Sequence, residues 1–402
     1  MRALPAALIL AGAVVASAQP RRLVEASTPS FEEPWWRPRV PPHEPIPGTT
    51  GSTAEACGSC HVEIAAEWRA SIHAAAWTDA QFQRELSKDP DVAWLCINCH
   101  TPATDQQAER IEPVLGESPR QARRSPNPDF DEAWQQEGIT CLSCHWSEGG
   151  IAGPGRSSGA PHAVTPSEAF SSGEICLSCH QADARIEDSL VCHFTTGQEW
   201  EEAGRPATCP ECHMPEVLRA VATGSPPRLS RRHTWPGSGI PKSSPAPEGF
   251  DEAMEGWIPG AAIRIEAAAP VAAGERAMAR VVLAHQRAGH RVPSGDPERY
   301  LLVEVEVRTE TASIAGGRMR IGQRWIWWPV AKKLDDDRLR PGEERTLEIP
   351  FQMPAEGATV HARLLHYRIS PENAAWHGLE GYPTHRLVQE ATQHLGSTSL
   401  PD

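Results

Sequence analysis

The chain has 402 residues, 40% of them hydrophobic, and a net charge of −14 at pH 7. That length allows two domains, and the negative balance argues against nucleic acid or an anionic membrane surface as a partner. It suits a basic redox partner and suits a merely soluble surface equally well.

Arg2, the apolar run Leu4 to Val15 and the small residues Ala16-Ser17-Ala18 read as a secretory signal peptide over residues 1–18, with the mature chain starting near Gln19. The run is short for a membrane span, and no cysteine follows it to carry a lipid; an uncleaved anchor is the alternative. No later stretch is apolar enough to cross a bilayer, so an exported protein, periplasmic or extracellular, is expected. Residues 19–50 are proline-rich and carry Trp35-Trp36. They read as an extended arm that wraps the domain or lies on a neighbouring subunit.

Residues 51–240 hold five copies of CxxCH: Cys57 to His61, Cys96 to His100, Cys141 to His145, Cys176 to His180 and Cys209 to His213. Each is the attachment pattern of a c-type haem. Cys57, Cys60, Cys96, Cys99, Cys141, Cys144, Cys176, Cys179, Cys209 and Cys212 would bond the vinyl groups, and His61, His100, His145, His180 and His213 would ligate the irons from one face. A zinc site would not place His directly after every second Cys. Ten of the 11 cysteines lie in the motifs and only Cys192 is left over, which leaves no disulfide framework. The motifs stand close together, so haem itself must supply much of the apolar interior of this pentahaem segment.

Residues 241–256 form a Pro/Ser/Gly linker, after which the texture changes. Val303-Glu304-Val305-Glu306-Val307 alternates as a half-buried strand does, and Ile263 to Ile265, Val281 to Leu283, Leu347 to Ile349 and Val360 to Ile369 are further strands. Residues 257–370 therefore read as a β-sandwich of immunoglobulin-like type. Residues 371–402 read as a packed tail, with helix near Leu387 to Gln393. The fold class expected is α+β and multidomain: a mainly helical, loop-rich multihaem domain, then the sandwich.

A haem held by one histidine has an open face, and what fills it separates electron transfer from catalysis. Ile64, Trp68 and Ile72 repeat every four residues and predict one helix over 61–77. His73 would then sit about 18 Å along the axis from His61, too far to share its iron. His73, His162, His233 and His290 are the leading distal candidates, with His193 and the arm's His43 behind them. His361 and His366 lie five apart in a predicted strand and read as structural.

With these residues in view, the chain resembles the cytochrome c554-like multihaem family, related to the hydroxylamine oxidoreductase group. The resemblance rests on Cys57 through Trp68 to His73, Cys99-His100-Thr101-Pro102-Ala103, Gly138 to His145, Pro161-His162, Gln198-Glu199-Trp200 and Cys209 to Pro215. Gly289 to Asp296 is similar to the GHxxPTGDP element of multihaem proteins with an appended β-sandwich. The resemblance implies His73 as a distal ligand and one haem with an open or weakly filled face, by position that of His100. Two departures stand out: five motifs replace the simplest four, and Tyr300, Tyr367 and Tyr382 all lie beyond the haem region, away from any cross-linked catalytic haem.

Three functions compete. The first is an electron carrier with closely packed, mostly bis-histidine haems and redox proteins as donor and acceptor. The second is a reductase or oxidase of a small nitrogen or sulfur species at one five-coordinate haem. There Arg231, Arg232, Arg291 and Asp296 would serve the reaction or pair with propionates. The third is a subunit of a cytochrome complex, oligomer or filament, in which His43 or His290 reaches a neighbouring chain.

Overall fold

A computed structural model describes residues 38–112, 119–155, 159–186, 190–266, 269–327 and 329–398. The signal-peptide segment, residues 1–18, and the first part of the arm, including Trp35-Trp36, lie outside the described residues.

Short helices carry the CxxCH motifs. Ala93–His100, Cys141–His145, Glu174–His180 and Cys209–His213 each end on the motif histidine, while His61 instead caps the start of Val62–Arg69. The spacing i, i+3, i+4 puts both thiols and the imidazole on one side of a single helical turn. Side chains start several of these turns. Thr53 accepts the amide of Ala56, and the Thr140 amide donates to Ser143 Oγ at 3.0 Å. The Thr208 amide donates to Glu211 Oε2 at 2.6 Å before Cys209. Such helices are too short to hold alone, and tertiary contacts must fix them. The buried apolar cluster of this half is small: Val40, Ile46, Ala103, Trp134 and Leu142.

The single helix expected over 61–77 stops at Arg69. Ser71 Oγ accepts the amides of His73 (3.2 Å) and Ala74 (3.4 Å), and the chain continues as a series of turns to Thr78. A serine hydroxyl offers the backbone an alternative to the helical ladder, and here that alternative wins.

Beyond the linker lie two antiparallel sheets. One orders Ala261–Ile265, Arg276–His285 and Glu344–Gln352; the other orders Lys332–Asp336, Ser313–Ile326, Tyr300–Arg308, Ala358–Tyr367 and His385–Leu395. They share one core, with Val281, Leu283 and Ile349 from the first and Leu301, Val303, Val305, Val307, Val360 and Leu364 from the second. Residues 387–393, expected as helix, are strand, paired with Ala358–Tyr367 from Ala358↔Leu395 to Tyr367↔His385. Pairing along that neighbour overrides the local preference.

The linker is held in place. Lys242 forms a salt bridge with buried Asp79, and Arg368 donates to the carbonyls of Ile240 and Pro241. Tyr382 donates to Asp79 Oδ1 at 2.7 Å, joining the β domain to the segment after His73. Among the described residues no helix is long and apolar enough to cross a membrane.

Candidate haem site

Four of the five motif histidines and four others come together in pairs. Ring centres lie 6.4 Å apart for His61 and His162, 6.2 Å for His73 and His180, 6.3 Å for His145 and His233, and 6.2 Å for His213 and His290. Two imidazoles on opposite sides of one metal, with bonds of about 2 Å and about 1.2 Å from nitrogen to ring centre, stand about 6.4 Å apart. Each pair joins a motif histidine to one from a different part of the chain. The segment after the first motif supplies His73 to the fourth, the 159–163 loop supplies His162 to the first, and the residues after the fifth supply His233 to the third. The β domain supplies His290 to the fifth.

Hydrogen bonds orient these rings. Nδ1 faces a backbone carbonyl at His61 (Val221, 2.6 Å), His145 (Ala152, 2.8 Å), His233 (Arg231, 3.0 Å) and His290 (Arg291, 2.8 Å). An Nδ1–H held by a carbonyl leaves the Nε2 lone pair for a metal. Burial drives the pKa of His73 down to about 3, helped by neighbouring His180, and those of His180, His213 and His233 down to about 4. These rings are neutral at pH 7, the form that ligates. The residues present therefore fit covalently attached haem between each pair.

His100 is different. Its Nδ1 meets the Ala76 carbonyl at 2.8 Å, and Phe82 stacks on its ring at 3.6 Å and 5°. Burial lowers its pKa to about 4. Among the described residues no second imidazole stands at the axial spacing from it.

The thiols show which motifs are neighbours. Cys57 lies beside Cys141, Cys99 beside Cys179 and Cys176 beside Cys209. The first motif is thus beside the third, the second beside the fourth, and the fourth beside the fifth. Cys144 also lies within electrostatic reach of Cys179, linking third and fourth.

Other expectations are corrected by geometry. His193 has both nitrogens engaged, Nδ1 with Asp183 at 2.9 Å and Nε2 with Lys333 Nζ at 3.0 Å, which removes it from the axial candidates. His43 is held by Pro41 O at 3.0 Å and by Ser52 Oγ at 3.1 Å. The arginines proposed for chemistry or propionates are occupied elsewhere: Arg231 by the carbonyls of Pro210 and Met214, Arg232 by Glu67, and Arg291 by Glu202 at 2.8 Å.

Sequence reasoning missed the supports of His290. His285 Nε2 meets the His290 carbonyl at 2.9 Å. Glu199 accepts from Ser294 Oγ (2.7 Å), Thr195 Oγ1 (3.0 Å) and Arg338 (2.6 Å). Its place in Gln198-Glu199-Trp200, a stretch carrying the family resemblance, was the available signal.

Residues 56–146 match the family described as cytochrome c554 and c-prime. The structure is similar to a penta-haem cytochrome c552 from Thermochromatium tepidum at a TM-score of 0.58 and 17% identity, covering 87% of this chain and 100% of that one. A PapD-like domain of human CEP192 aligns at 11% identity over 35% of this chain and 87% of its own, with a TM-score of 0.17, too low to bear on the fold. No curated protein sequence matches. Over residues 56–146 the chain thus resembles the cytochrome c554-like multihaem cytochromes, its fold is like that of a penta-haem cytochrome, and a β-rich C-terminal domain follows.

Proposed function

We propose that this is an exported pentahaem cytochrome that carries electrons through closely packed haems, four of them bis-histidine, between a redox protein donor and an acceptor. Cys57 to Cys212, two per motif, hold the five groups, and His61, His145, His180 and His213 are completed by His162, His233, His73 and His290. The observation that carries this reading is the set of four imidazole pairs at 6.2 to 6.4 Å. Bound haem supplies single-electron chemistry, and imidazole on both faces keeps its potential low relative to Met/His ligation. The protein's part is to bury these rings, orient their Nε2 atoms and bring the motifs side by side. The β domain, read as a sandwich of immunoglobulin-like type, delivers His290.

A second reading is favoured by His100 alone. With no imidazole at the axial spacing, its haem would have a face open to a small nitrogen or sulfur species. The EPR spectrum of the oxidised holoprotein, with haem counted by mass, tests both. One high-spin and four low-spin haems are expected. Five low-spin haems remove the second reading, and two or more high-spin haems overturn the pairing. Size measurements on the same sample test assembly into a complex or filament.

A further inference from the structure

We propose that Arg299 and His366, both from the β domain, form a carboxylate site that takes a propionate of the haem carried by the fourth motif. The proposal rests on the haem-bearing reading above.

Strand register brings the two residues together. Leu301 pairs directly with His366, so their side chains share a face of the sheet. Arg299 and Arg368 lie just beyond the ends of these two strands, and both are within electrostatic reach of His366. Further along, the same face is apolar core, with Val303 opposite Leu364. It becomes cationic only at this end, against residues 240–242 of the haem-bearing half.

Arg368 is fully used there. It donates to Tyr382 Oη at 2.8 Å and to the carbonyls of Pro241 and Ile240. Lys242 is matched by Asp79. Arg299 and His366 are not matched. Arg299 spends one terminal nitrogen on Ser294 O at 3.1 Å, but its Nε is buried without a partner. His366 Nε2 is likewise buried and unpartnered. Buried donors in folded proteins are almost always satisfied, so each such orphan asks for an acceptor. Arg299 lies within electrostatic reach of both His366 and the motif ligand His180, which sets the guanidinium between the strand end and the fourth motif. Asp296 is also near Arg299, without satisfying its Nε.

A guanidinium edge beside an imidazole nitrogen is a recognition pair for a carboxylate or small oxyanion. A propionate of the haem bonded to Cys176 and Cys179 would be an anion available beside His180. A free oxyanion shares the chemistry, and the test separates the two.

The experiment is a spectroelectrochemical titration of the holoprotein and of Arg299→Gln, Arg299→Lys and His366→Gln, after haem content is counted by mass. Loss of a cation beside a haem favours the oxidised iron. Arg299→Gln should therefore weaken reduction of one haem about tenfold, a shift of about 59 mV for a one-electron couple, with the others unmoved. Arg299→Lys should restore most of it, and added phosphate should change nothing. If phosphate shifts the wild-type titration and Arg299→Gln abolishes that response, the pair holds a free oxyanion and the propionate assignment falls. Unchanged potentials in fully loaded Arg299→Gln and His366→Gln overturn the site. A wild-type mass short of five haems overturns the underlying reading separately. If Arg299→Gln does not assemble, His366→Gln carries the same comparison.

Discussion

Arg338→Ala probes how the β domain holds His290 in place. The Arg338 and Glu199 side chains are only 4% and 3% exposed, and their 2.6 Å contact spans the two halves of the chain. Truncating Arg338 leaves Glu199 with two hydroxyl donors, from Thr195 and Ser294, for a full buried charge. Removing one partner of a buried pair costs about 3–5 kcal/mol. At about 1.4 kcal/mol per tenfold, this interface should open on the order of a hundred to several thousand times more often. The reporters are the amides of Val292 and Leu339, which exchange hydrogen bonds of 2.9 and 3.0 Å within the β domain and tie the His290 loop to the residue after Arg338. Their hydrogen exchange should accelerate by that factor, and part of the haem carried by His213 should turn high-spin. Acceleration below tenfold would refute the claim that this pair fastens the loop. Glu199→Gln with Arg338→Met should recover much of the loss, since a neutral replacement of both charges avoids stranding either.

His73→Ala and His290→Ala should each add one high-spin haem to the EPR spectrum, whereas His193→Ala, whose ring is taken by Asp183 and Lys333, should add none. An unchanged spectrum in either of the first two breaks that pair. Phe82→Ala removes the ring stacked on His100 and should cost about 3–5 kcal/mol in chemical denaturation; a loss below 1 kcal/mol contradicts the packing. Burial, with Asp296 and Glu85 nearby, raises the Glu298 carboxyl to about 8. Between roughly pH 5 and 8 the folded chain keeps a proton that the unfolded chain releases, so this group's stabilisation is present below that window and lost as pH rises through about 8. Denaturation midpoints of Glu298→Gln should therefore fall less steeply across the window than those of the native chain; parallel slopes contradict the assignment.

CxxCH is a covalent pattern confined to one helical turn, so five adjacent residues state the chemistry without any knowledge of the fold. The alternation of Val303 to Val307 is equally local, because strand period is a property of the backbone. The partners of the motif histidines are another matter. His290 is 77 residues from His213 and His162 is 101 from His61, and no periodicity links positions so far apart. Only packing decides that His73 meets His180, that His193 spends both nitrogens on Asp183 and Lys333, and that His100 is left with Phe82. The helix expected over 61–77 and the one near Leu387 failed for the same reason. Local preference is worth tenths of a kcal/mol per residue, and a serine hydroxyl at Ser71 or a whole strand edge at Ala358–Tyr367 outweighs it. The sequence by itself determined what the chain can bind; the tertiary structure decided which histidines face each other across it.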